Sequence, residues 1–248
     1  MAAFIDDFDD DPFAARWTQE MGSAAYDSTD DEIDVSFTGS HVILSYLANG
    51  PGSIEHEAQV TAIAGDDRVL GPAVRIDGAG PDAYTLDLDD DDNLRIRRII
   101  AGGTEDVISN QVSGVTFTVG NWYTLRLAAA GGVGSNVALS AWVFDHGTSK
   151  PSLGGSGNWQ GVDASPHITA TDTEANRLDG ASHANCGIGG RSASNADYDT
   201  RLDFWKERAI SDRGGVGPTL PWLPRQTNLH GPTGAQMIPG GMTPPNRP

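Results

Sequence analysis

A single cysteine, Cys186, in 248 residues leaves no partner for an internal disulfide and no basis for a thiolate-built zinc site. Lysine is almost as scarce, with only Lys150 and Lys206. The 16 basic residues face 34 acids, so the net charge is −18. A surface of that sign repels phosphate backbones and anionic headgroups, which argues against nucleic acid and acidic membranes as partners. No apolar run approaches the roughly 18 residues that cross a bilayer. The opening MAAFIDDFDDD has neither the basic nor the apolar region of a secretory signal, so no export leader is expected. The six histidines (His41, His56, His146, His167, His183, His230) show no HExxH or HxH spacing, and no G-x-S-x-G elbow is present. The glycine run Gly131–Ser135 lacks the lysine of a phosphate loop and reads as a turn.

What is present is alternation. Period-two patterning recurs while helical periodicity is nearly missing, and it predicts strands at 33–37, 42–47, 55–63, 73–76, 83–88, 94–100, 115–119, 122–128, 137–144, 186–191 and 198–208. Turn formers separate them, among them Asn49-Gly50-Pro51-Gly52, Gly78-Ala79-Gly80-Pro81 and Gly102-Gly103. Asp89–Asp92 with Asn93 reads as a solvated hairpin turn between Leu88 and Leu94. Many short strands so punctuated predict an all-β antiparallel sandwich.

Two segments depart from the pattern. One is a long polar loop, Asp145 to Leu178, of a length that is usually functional or mobile. The other is 214–248, which holds eight of the 14 prolines, no acid, and Arg225 and Arg247 as its only bases. Proline bars it from a central strand or a helix. The expected organisation is therefore a sandwich over 1–213 and an extended arm over 214–248. Trp222, Leu223, Leu229, Met237, Ile238 and Met242 would anchor that arm on another subunit.

Four stretches carry a family resemblance. They are F-I-D-D-F-D (Phe4–Asp9) with Arg16-Trp17, the run from Ala73 to Arg98, Gly120-Asn121-Trp122-Tyr123-Thr124-Leu125-Arg126-Leu127, and Gly187 to Trp205. In that order they resemble the concanavalin A-like, laminin G-like jelly roll over about Phe4 to Ile210. The resemblance implies two curved antiparallel sheets, often a structural calcium, and sometimes carbohydrate binding. By analogy with such sandwiches, a calcium would draw on Asp6, Asp7 or Asp9 and on Asp203, as a hard cation seeking oxygen ligands. Glu32-Ile33-Asp34-Val35 looks like the start of the E-x-D-x-x-E motif of glycosidases with this fold, but Ser36 and Phe37 stand where the third carboxylate would lie. Hydrolysis is accordingly not the leading expectation.

Sugar recognition needs an aromatic platform beside hydrogen-bonding groups. Asn158, Trp159, Gln160 and Asp163 in the long loop have that composition, although Trp159 could equally pin the loop to the sandwich. Trp17, Trp122 and Trp205 sit in framework contexts and are expected in the core, as is Cys186. A leaderless lectin-like sandwich with a docking arm suggests a non-enzymatic virion protein of a tailed bacteriophage, a minor tail or capsid-surface component. Its partners would be other virion proteins or copies of itself through the arm, and host glycan. The excess of arginine over lysine fits a GC-rich genome. The alternatives are a free carbohydrate-binding module and a degenerate glycosidase.

Overall fold

A computed structural model describes residues 4–22, 24–38, 41–46, 55–65, 67–77, 82–101, 104–152, 159–160, 164–191 and 197–210. The strands are β1 (Phe4–Asp6), β2 (Trp17–Met21), β3 (Ala25–Asp27), β4 (Glu32–Thr38), β5 (His41–Tyr46), β6 (His56–Ala64), β7 (Arg68–Asp77) and β8 (Asp82–Asp89). They continue as β9 (Asn93–Ile100), β10 (Thr104–Val112), β11 (Trp122–Ala130), β12 (Val137–Asp145), β13 (Ile168–Asp172), β14 (Asn185–Arg191) and β15 (Asp197–Ala209). One sheet runs β13-β12-β11-β6-β15-β4-β3, with β1 also paired to β15; the other runs β10-β9-β8-β7-β14-β5-β2. Every pairing is antiparallel. The fold is the antiparallel jelly-roll sandwich expected from the sequence.

The core follows from the two-residue period of a strand. Ala58, Val60 and Ala62 of β6, Leu125 and Leu127 of β11, Leu139, Ala141 and Val143 of β12 and Trp205 of β15 are buried in one apolar cluster. Leu44, Val74, Tyr84, Leu86, Leu88 and Ile188 of the second sheet join the same cluster. Trp17 closes one end, edge-on to Trp205 with ring centroids 4.9 Å apart. Gly187 is needed on β14 because a Cβ there would run into the Leu44 carbonyl of the neighbouring strand.

Three predictions of strand position are corrected. Residues 115–119 are not a strand; their place is taken by β10, an edge strand with Val107 and Val112 exposed. The long loop contains β13, which extends the first sheet past β12. β7 begins five residues before the predicted Ala73 and runs through Pro72, which a central ladder cannot accept in regular register. The register breaks between Leu70 and Ala73 to admit it. It breaks again after Val74, where Arg75 takes φ 57° and sends its guanidinium to the carbonyls of Leu178 and Gly131. The Asp89–Asp92 turn does join β8 to β9, with Asp90 and Asp91 exposed, but Asp89 is buried against Arg95.

Candidate functional site

The outward side of the eight-stranded sheet carries the chemistry. Strand alternation that sends Ala58 and Val60 inward sends Glu57, Gln59 and Thr61 outward. Cross-strand register sets Arg126 beside Gln59, Trp142 beside Arg126, Lys206 beside Gln59 and Arg208 beside Glu57. All of these polar residues are buried or nearly so, and Trp159, Gln160 and Ala164 of the long loop lie against them. Gln160 donates its backbone N–H to Gln59 Oε1 at 2.9 Å, and its carbonyl accepts from Arg126 at 3.0 Å. Trp142 Nε1 donates to the Ala164 carbonyl at 2.9 Å.

Beneath the loop, Glu57 is held by two arginines. Arg126 reaches one carboxylate oxygen at 2.6 Å, and Arg208 reaches the other at 2.6 Å. Trp159 lies over the cations, its ring centroid 4.2 Å from Arg208 Cζ and 5.1 Å from Lys206 Nζ. Such contacts are worth more when desolvated. Burial lowers the Lys206 pKa to about 7, and the adjacent Arg208 and Arg126 add to the effect. Trp159 is only 6% exposed, so it is not the open aromatic platform that sugar stacking requires; it fastens the loop to the sheet. Gln160 is half-buried and spends its backbone groups on that same closure. Asn158 and Asp163 lie outside the described residues, as do the arm anchors Trp222, Leu223, Leu229, Met237, Ile238 and Met242.

An accessible cavity of about 370 Å³ opens at the loop's margin, lined by Asp7, Asp9, Lys150, Pro151, Ser152, Asp203 and Phe204. Asp203 sits at a register break in β15 that turns its side chain toward the cavity. Lys150 pairs closely with Asp203 and lies 3.7 Å from Glu32 Oε1, with its ammonium 5.5 Å from the Trp122 ring. Burial raises the Glu32 and Asp203 carboxyls above the ordinary range, against the pull of neighbouring cations. Asp9 is raised chiefly by the charge of Asp7 beside it.

The four expected calcium ligands do not form one donor set. Asp6 is buried and engaged by the protein: its carboxylate accepts from Phe8 N at 3.0 Å, Arg16 Nε at 2.9 Å and Trp17 Nε1 at 2.7 Å. Asp7 and Asp9 do line the cavity with Asp203, but Lys150 supplies a cation there already. Among the described residues, only Asp89, Asp90 and Asp91 bring three acidic oxygens within 4.8 Å of one another. The residues at the cavity, arranged as they are, do not fit the six to eight oxygens of a calcium site.

Deeper in the sandwich, β15 points Glu207 inward, where it meets the Cys186 thiol. Burial pushes the Glu207 pKa up to about 7, against the opposing hydrogen bond from the Cys186 thiol. Cys186 is buried as expected, and desolvation raises its pKa well above that of a free thiol. On the second sheet's outward side Asp87 is held between Arg68 and Arg97. Asp172 bridges the two layers by accepting from Tyr84 at 2.7 Å and Arg98 at 2.8 Å.

No family model matches the chain, and no curated protein does. Among solved structures it is similar to the carbohydrate-binding module CBM66 from Bacillus subtilis, at 14% identity over 76% of this chain and 91% of that one, with a TM-score of 0.47. It is also similar to the VIP36 exoplasmic/lumenal domain bound to Ca2+ and Man3GlcNAc, at 11% identity over 80% and 86%, with a TM-score of 0.46. The CBM2 module of the evolved Dit of Lactobacillus casei BL23 phage J-1 matches at 11% identity over 83% and 94%, with a TM-score of 0.42. These likenesses bring no ligand to this chain.

Proposed function

We propose that this chain is a non-enzymatic, lectin-like structural protein of a tailed-bacteriophage virion, a minor tail or capsid-surface component that meets host glycan. The observation that carries the binding reading is the open cavity. Carboxylate and hydroxyl groups from Asp7, Asp9, Asp203 and Ser152 line it together with Pro151 and the nearly buried Phe204. That composition suits a sugar chiefly through acceptors for its hydroxyls. The non-enzymatic reading is supported by the state of the acids. Glu57 is held between two arginines under the loop, and Lys150 lies against both Glu32 and Asp203.

The virion reading is supported by charge. All 34 acids fall in 1–213, whereas 214–248 carries two arginines and no acid, so the segment is attracted to the body of another copy. A second reading, a degenerate glycosidase, is favoured by the raised Glu32 and Asp203 carboxyls flanking one lysine. Glycan-array screening of the purified chain is expected to find a ligand whose binding weakens about tenfold or more in Asp203→Asn. Truncation after Arg213 is expected to leave that binding intact and abolish incorporation into particles. Glycan turnover lost in Glu32→Gln would replace this reading with the second one, and an incorporated truncated chain would remove the virion role.

A further inference from the structure

A second cavity, of about 350 Å³, opens between β10 and the turn that follows β13, where the two sheets have their edges. Arg98, Asp106, Val107, Ile108, Glu174 and Asn176 line it. Asp106, Val107 and Ile108 are consecutive on β10, and regular alternation would not bring all three to one cavity. The register break between Val107 and Ser109 does so.

Arg98 is the rigid part of the wall. Its side chain is 3% exposed, with Nη1 donating to Asp172 at 2.8 Å and Nη2 to Asp106 at 2.5 Å. Its Nε is buried with no hydrogen-bond partner among the described residues, so an occupant that brings an acceptor would satisfy it. Charge asks for a cation as well. One guanidinium stands against Asp106, Asp172 and the exposed Glu174, while Arg177 is paired with Asp179. Val107 and Ile108 suit the aliphatic stem of a long basic side chain.

The strand beside the cavity has an open side. Among the described residues β10 pairs with β9 alone, it contains no proline, and its Val112 is 72% exposed. The unpaired N–H and C=O groups of such an edge take an added strand.

We propose that this edge receives residues 225–230 of a second copy, laid along β10 with the Arg225 guanidinium in the cavity. The inference rests on the reading that 214–248 docks on another copy, and it names the receiving surface. Pro224 and Pro232 bound the longest proline-free stretch of that segment, so Arg225-Gln226-Thr227-Asn228-Leu229-His230 keeps every N–H that a ladder needs. The segment has no acid to be repelled by Asp106 and Glu174. In an extended strand Arg225, Thr227 and Leu229 share one side. The guanidinium then answers the two carboxylates, the Thr227 hydroxyl brings the acceptor that Arg98 lacks, and Leu229 meets the exposed valines.

Sedimentation velocity of the full-length chain over a range of concentrations, with hydrogen exchange of the β10 amides, tests this. Self-association is expected, together with slower exchange along β10 as concentration rises. Arg225→Glu and Glu174→Arg should each weaken association about tenfold or more, through like-charge contact. The double variant Glu174→Arg/Arg225→Glu should restore it. Association lost in Arg225→Glu but unchanged in Glu174→Arg overturns this surface alone and leaves the arm docked elsewhere. A monomer at every concentration overturns the proposal together with the reading beneath it. A monomer whose β10 protection follows the same charge reversals gives the seat to the chain's own segment, which also overturns docking between copies.

Discussion

Arg126→Met lowers the stability of the sandwich by about 3–5 kcal/mol, the range for removing one member of a buried ion pair. At this chain length that corresponds to a fall of roughly 10 °C or more in melting temperature. The substitution leaves Glu57 buried with Arg208 as its remaining described cation. It also removes the bond to the Gln160 carbonyl and the guanidinium stacked 4.1 Å from the Trp142 ring. Because those contacts fasten the loop, a second result accompanies the first: protease cleavage between residues 146 and 167 becomes faster than global unfolding allows. The double variant Glu57→Gln/Arg126→Met recovers part of the loss, since no uncompensated carboxylate remains. Chemical denaturation and limited proteolysis measure both. A single variant within about 1 kcal/mol of wild type would show that the pair does not hold the loop.

Stability declines as pH rises from about 4.5 to about 7, and Glu207→Gln removes most of that decline. The folded protein keeps a proton on Glu207 that the unfolded chain releases near the ordinary 4.5, because burial lifts the folded pKa to about 7. Between those values the native state binds more protons, so the unfolding free energy falls with pH and then levels off. The span amounts to about 3 kcal/mol for this group. Glu32, Asp89 and Asp203 are raised by burial as well and act in the same direction. Lys206 works oppositely and in another window: its folded pKa of about 7 lies below the ordinary 10.5, so it adds stability as pH climbs above neutrality. Urea midpoints at pH 4.5, 7 and 9 are expected to trace a trough near neutral pH in the wild type. In Glu207→Gln the acid limb of the trough should be shallow, and an unchanged acid limb would assign the decline to other carboxyls.

The sandwich itself was legible because apolar residues alternate plainly in strands such as β12 and β15. Where prediction failed, the local pattern was altered by something distant. β10 is an edge strand with Val107 and Val112 exposed and Ile108 packed on the core at a register break, so its sequence loses plain alternation. Pro72 interrupts β7 in sequence, and only the register break lets the strand continue. Asp6 looked like a metal ligand by its place near the last strand, but the Arg16 guanidinium and the Trp17 indole had already engaged it. The covered face was missed for a different reason. Glu57, Gln59 and Thr61 alternate with alanine and valine just as a water-facing edge would, and only the loop makes that face interior. One signal was available: Trp142 falls on the polar side of its strand, where large aromatics seldom lie open to water, whereas Phe204 reaches that side only through the register break after Leu202.

Long-range pairing in β15 has a consequence for how the chain is made. This strand touches β1, β4 and β6, so its hydrogen-bonding partners begin at Phe4 and its own last rung is Ala209. A nascent polypeptide leaving the ribosome cannot close the larger sheet until that final strand has emerged. Until then β4 and β6 wait with open edges, and folding is governed by the slow search for distant partners. Chaperone protection of the growing chain, or synthesis slow enough to limit crowding of half-made copies, should therefore decide how much native protein is recovered.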